Sequence, residues 1–139
     1  MAKIEDAIEE WLKTVRGGVC YTEKLKFYAP TCYGKCINAV NKLISKINET
    51  FGGSTVYNAE GCWIDPEGNL ECEPVKVIEA AHNCTTSETA KEIAKAITDY
   101  AKEANQEYLA IEEGSFFIAP SKEIAEAYEK IRNKMPTIG

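Results

Sequence analysis

The chain has 139 residues, 45% hydrophobic and 27% charged, a composition that suits one folded domain over 1–139 with its own core and excludes a disordered or fibrous chain. Acids outnumber bases 22 to 16, for a net charge of −6, which repels a phosphate backbone and sets nucleic acid aside as a partner. No apolar run approaches the ~18 residues of a membrane span, and "MAKIEDAIEEWLK" puts acids where a secretory leader needs an apolar stretch, so the expectation is a cytoplasmic protein without membrane attachment.

In chain order, "KIEDAIEEWLKTV" places Ile4, Ile8, Trp11, Leu12 and Val15 at helical spacing, with Gly17 and Gly18 as the stop. "VCYTEKLKFYAP" reads as a strand closed by Pro30. "TCYGKCINAVNKLISKINETF" predicts a helix with Val40, Leu43, Ile44, Ile47 and Phe51 on one stripe, Thr31 as N-cap and Gly52–Gly53 as exit. "STVYNAEGCWID" and "LECEPVKVIEAAH" read as two strands around "DPEGN". A helix follows over "TTSETAKEIAKAITDYAKEAN", with Thr85 and Glu88 as a capping box. "EYLAIEEGSFFIAP" reads as one last strand, and "SKEIAEAYEKIRNKM" as a closing helix capped by Ser121. Without the two terminal helices the order is strand–helix–strand–strand–helix–strand. That is the α+β, ferredoxin-like βαββαβ pattern: an antiparallel sheet with both helices on one face. Its other face then needs cover from the terminal helices or from a second subunit.

The turn fixes a register. With Pro66, Glu67 and Gly68 as the loop, Asp65 pairs with Asn69 and Ile64 with Leu70, so Cys62 falls opposite Cys72. Alternation makes this a non-hydrogen-bonded pair with Cα atoms roughly 4.5 Å apart, within disulfide reach. A reducing cytosol nevertheless favours two packed thiols. Along the same hairpin Tyr57, Ala59, Val75 and Val77 share one face, while Cys62, Ile64, Leu70 and Cys72 share the other. Such a change of face calls for a bulge, with Gly61 as its site, or for a second packing surface at the tip. A tip reaching beyond its own core favours the second, and with it a homo-oligomer.

Chemistry-bearing residues are sparse. Cys32 and Cys36, four apart at a helix start, suit a reactive thiol near a helix dipole or small core side chains. Together with Cys20, His82 or Cys84 they have the donor types of a zinc site, but no known ligand spacing, so no metal is expected. His82, the only histidine, precedes Thr85 and Thr86 at a helix N-terminus that suits a small anion. Tyr57, Asn58, Trp63 and Lys76 fall together on the hairpin, an aromatic and polar set fit to line a small-ligand site. No nucleophile elbow, P-loop, zinc-protease or dinucleotide motif is present, which leaves no catalytic residue and no cofactor to name.

The segment "FGGSTVYNAEGCWIDPEGNLECEPVKVIE", followed after a helix by "NQEYLAI", is similar to a set of small bacterial and phage proteins sharing a domain of unknown function. The similarity spans roughly 50–111. It is carried by Gly52–Gly53, Thr55–Val56, Gly61–Cys62–Trp63, Gly68, Glu73–Pro74 with Lys76–Val77, and Gln106–Glu107. The resemblance implies a ferredoxin-like fold and a phage or mobile-element origin, and brings no activity with it. The expectation is a non-enzymatic, oligomeric module that binds a small, nucleotide-like ligand through Tyr57, Asn58, Trp63, Lys76, His82, Thr85 and Thr86, in the manner of a protein that sequesters a signal. Two other classes stay open: an acidic module docking on a host enzyme, and a Cys/His metalloprotein or thiol enzyme.

Overall fold

A computed structural model describes residues 4–14, 16, 21–83 and 87–134. In chain order the elements are α1 (Ile4–Lys13), β1 (Glu23–Pro30), α2 (Ile37–Phe51), β2 (Thr55–Ile64), β3 (Leu70–His82), α3 (Ser87–Glu103), β4 (Tyr108–Glu113), β5 (Ser115–Pro120) and α4 (Ser121–Lys134). The strands form one antiparallel sheet in the order β2-β3-β1-β4-β5. Its first four strands carry the ferredoxin-like order. The fifth is an addition: the stretch read as one last strand folds back at Gly114 (φ 75°) into a hairpin.

Alternation decides the two faces. On β1, Leu25, Phe27 and Ala29 point to the helices and are buried. Their pairing with Ile78, Ala80 and Ile111 defines the helical face across β3 and β4. Val40, Leu43 and Ile47 of α2 and Ile97, Tyr100, Ala101 and Ala104 of α3 close the core against it. Phe27 meets the Tyr100 ring edge-on at 5.5 Å. Helix α2 ends as its sequence predicts, with Gly52 at φ 91° and its N–H donating to the Asn48 carbonyl at 2.8 Å.

Two local expectations are corrected, and one of the two explanations for the hairpin's change of face is removed. Thr31 does not cap α2. A short 3-10 turn over Cys32–Gly34 intervenes, with Cys32 and Tyr33 at positive φ, and the Thr31 hydroxyl donates instead to the Pro74 carbonyl at 3.4 Å. Ser121 opens α4, but its buried hydroxyl has no hydrogen-bond partner and caps nothing. Gly61 forms no bulge: the β2–β3 register runs unbroken from Thr55 opposite Glu79 to Ile64 opposite Leu70. Gly17, Gly18 and the Thr85 capping position lie outside the described residues.

Helix α4 does not cover the second sheet face. Its Ile124 joins the core on the helical side, and the helix lies against α3. The apolar stripe of α1 is exposed, with Trp11 at 65%. Among the described residues the far face of the sheet therefore remains open. No described helix is long and apolar enough to cross a membrane.

Candidate functional site

The open face carries its own set of aromatic and apolar side chains. Registers place Lys26 and Tyr28 of β1, Tyr57, Ala59 and Trp63 of β2, Glu73, Val75, Val77 and Glu79 of β3, Tyr108, Ala110 and Glu112 of β4, and Phe116 and Ile118 of β5 on this side. A concavity of about 720 Å³ opens there, a size typical of small-molecule sites. All five strands contribute to it, as does the turn Asn105–Glu107 between α3 and β4. Asn105 takes a left-handed conformation (φ 51°) at the end of α3, and the Gln106 N–H returns to the Ala101 carbonyl at 3.1 Å. That closure sets the turn at the edge of the concavity.

Aromatic rings dominate the lining. Tyr28 and Phe116 meet edge to face at 5.7 Å, while Tyr108 and Trp63 are both exposed. Among the described residues the charged members of the lining are Glu60, Glu73 and Glu107, and no lysine, arginine or histidine joins them. Burial pushes the Glu73 carboxyl above its ordinary value. The site thus pairs ring faces with carboxylates, a combination suited to a planar group that is neutral or positively charged.

A second polar group lies on the same face, outside the concavity. Glu79 accepts from the Tyr57 hydroxyl at 2.9 Å and pairs with Lys26 at 3.1 Å. The hydrogen bond from Tyr57, then that from Lys26, holds the Glu79 carboxyl below its ordinary value.

The seven residues singled out in the sequence do not form one site. Trp63 lines the concavity. Tyr57 shares its face but is engaged with Glu79. Asn58 and Lys76 lie on the helical face and bond to each other, the ammonium donating to the Asn58 side-chain oxygen Oδ1 at 2.9 Å. Alternation separates neighbours in sequence that proximity on the hairpin had grouped together. His82 is buried at the end of β3, stacked on Phe51 at 4.6 Å and paired with Glu113 through Nε2 at 3.0 Å. Thr85 and Thr86 lie outside the described residues. Tyr28, Glu73, Tyr108, Phe116 and Ile118 were missed, because they come from four different strands that only the sheet order unites.

The cysteines also depart from expectation. Cys62 and Cys72 face each other with Cα atoms 4.1 Å apart and are joined as a disulfide, not two thiols. Cross-strand geometry puts the sulfurs in bonding reach whatever the compartment. Cys32 and Cys36 are likewise joined, with Cα atoms 5.2 Å apart. Since α2 begins only at Ile37, Cys32 is not in its first turn. His82 sits beside Glu23 at the start of β1 and Cys32 lies past its end, so these two do not meet in a metal or thiol centre.

No family model and no curated protein matches the chain. Solved structures do. A phage SAM lyase in complex with S-methyl-5'-thioadenosine is similar at a TM-score of 0.56 and 11% identity, over 77% of this chain and 96% of the other. The same type of lyase in its apo state matches at 0.53 over the same shares. A Bacillus cereus protein related to NIF3 gives 0.46, over 96% of this chain and 42% of the other. At such identity the likeness to the two lyase structures shows a shared fold.

Proposed function

We propose that the chain is a small-ligand-binding module of the cytoplasm, of phage or mobile-element origin, whose open sheet face holds a nucleoside-like ligand. The observation that carries this reading is the concavity itself: ring faces from Tyr28, Trp63, Tyr108 and Phe116 beside three carboxylates, with no basic side chain in the lining. A phosphate would meet like charge there, which narrows a nucleotide-like ligand to a nucleoside or a cationic derivative of one. The phage lyase of the same fold, bound to S-methyl-5'-thioadenosine, supports this ligand class. Sequestration needs no catalytic residue.

The assembly is a homo-oligomer in this reading. Phe116, Phe117 and Ile118 expose both faces of the edge strand β5, and an uncovered apolar edge of this kind is completed by another chain.

One observation favours a second, catalytic reading: Glu73 is a partly desolvated carboxyl inside the lining, a position suited to acid–base work. Both readings meet one experiment. The purified protein is mixed with S-methyl-5'-thioadenosine and, separately, with SAM, then followed by calorimetry and by mass analysis of the small molecules. Saturable binding with the ligand returned intact supports sequestration. Conversion of SAM that is lost in Glu73→Gln supports the lyase reading. Absence of heat and of conversion with both would overturn the nucleoside site.

A further inference from the structure

The outer half of the β2–β3 hairpin brings three metal-ligating side chains to one corner. Cys62 and Cys72 are cross-strand partners, and Glu60, two residues before Cys62, leaves β2 on the same side. One donor atom from each lies within 4.8 Å of the other two. Trp63 projects to the opposite face, although Glu60 and Cys62 also border the concavity. The backbone that carries it is fixed independently of the sulfur–sulfur bond. Asp65 N–H donates to the Asn69 carbonyl at 2.9 Å and the Asp65 carboxylate accepts from Glu67 and Asn69, which closes the turn. From the other side, the Tyr33 hydroxyl donates to the Cys72 carbonyl at 2.9 Å.

We propose that in its reduced form this corner binds a thiophilic divalent metal of the zinc class, with Cys62 and Cys72 as thiolate ligands and Glu60 as the third. Reduction by a dithiol breaks the Cys62–Cys72 bond. Two electrons and two protons pass to the sulfurs, and the reductant leaves as its own disulfide. Metal binding then forms two metal–sulfur bonds and one metal–oxygen bond, while the two thiol protons go to solvent. Three protein donors leave a fourth position for water, the arrangement of an open zinc site. Soft sulfur ligands select zinc over magnesium or calcium.

Two features favour a cation here over a plain cross-strand pair of thiols. The fixed register holds two sulfurs and a carboxylate together, so ionising the thiols in the absence of metal sets three like charges side by side. Glu60 and Cys62 are exposed and Cys72 is half-buried, which leaves a path for the ion. Exchange with a small disulfide takes two electrons from the two thiolates, re-forms the Cys62–Cys72 bond and releases the metal, the exchange partner leaving as two thiols, so the hairpin alternates between two cross-links, one of them made by a metal.

The test uses the full chain, reduced with a phosphine and compared with the oxidised chain. Zinc binding is read by native mass spectrometry and calorimetry, and cobalt(II) by its sulfur-to-metal charge-transfer band. Reduced protein is expected to take one metal per chain with a band from two thiolates, and oxidised protein none at this corner. Cys62→Ser with Cys72→Ser abolishes the band. Glu60→Gln weakens binding by about tenfold or more, at least what removing an outer partner costs. Equal binding by reduced wild type and the Cys62→Ser/Cys72→Ser variant overturns the site. So does a band that disappears only with Cys32→Ser and Cys36→Ser. Circular dichroism of each variant shows whether lost binding is merely lost folding.

Discussion

The hydroxyl of Tyr100, buried in α3, donates to the carbonyl of Pro30 at 2.7 Å, so the helix layer grips the last residue of the central strand. Burial first, and the Glu73 carboxylate second, hold the Tyr100 hydroxyl well above the usual phenol range. Tyr100→Phe leaves the carbonyl without this donor and is expected to cost about 1–3 kcal/mol in urea or thermal unfolding. The pH dependence has a definite sign. In the unfolded chain the phenol loses its proton near pH 10 while the folded chain keeps it. Stability from this group is therefore full below about pH 10 and falls as pH rises toward the folded value. The variant should show a flatter alkaline limb than the parent.

Glu73 has the same sign at lower pH. Its carboxyl is raised by burial, so folding favours the protonated form, and its contribution is lost as pH climbs through the carboxylate range. Glu73→Gln should therefore leave acid stability nearly unchanged and hold or raise stability at neutral pH, read as the difference between denaturant midpoints at the two pH values. Partial solvent exposure keeps the effect small.

Trp63 separates binding from folding. It is 48% exposed, so Trp63→Ala should leave the unfolding midpoint within about 0.5 kcal/mol. Loss of a ring that stacks on a nucleoside base is expected to weaken binding by about 1–3 kcal/mol. Unchanged affinity for S-methyl-5'-thioadenosine would place the ligand away from β2.

The edge at β5 predicts the assembly state. Phe117 and Ile118 point to opposite faces and are 54% and 68% exposed. Lysine at both positions blunts such an edge. Sedimentation should then shift from oligomer to monomer while the circular dichroism spectrum holds. A parent chain that already sediments as a monomer removes the oligomer reading.

Local chemistry was legible in the sequence; non-local chemistry was not. Asp65, Pro66 and Gly68 determine a turn, and the turn determines that Cys62 opposes Cys72, all within twelve residues. The helical stripe through Val40, Leu43 and Ile47 likewise predicts its own burial. The break at Gly114 passed unseen because "YLAIEEGSFFIAP" is apolar on both sides of a single glycine, and length alone did not demand a hairpin. The pocket was hidden for a different reason. Tyr28, Glu73, Tyr108 and Phe116 become neighbours only when β1 takes the centre of the sheet, and no local pattern records strand order. Grouping Asn58 and Lys76 with Trp63 failed on alternation, which puts them on the other face.

The sheet order also governs how the chain is assembled. Strand β1 is the first to be synthesised, yet it has no neighbour until β3 and then β4 exist, pairing Tyr28 with Val77 and Ala110. The β2–β3 hairpin can form alone, whereas the centre of the sheet must wait for chain ends far apart in sequence to meet, a slow and aggregation-exposed step. A chain cut before Tyr108 would keep both cysteine cross-links and the whole hairpin and still present β1 with one bare, Phe27-bearing edge. The last quarter of the sequence, which carries no catalytic motif at all, is what seals the first strand.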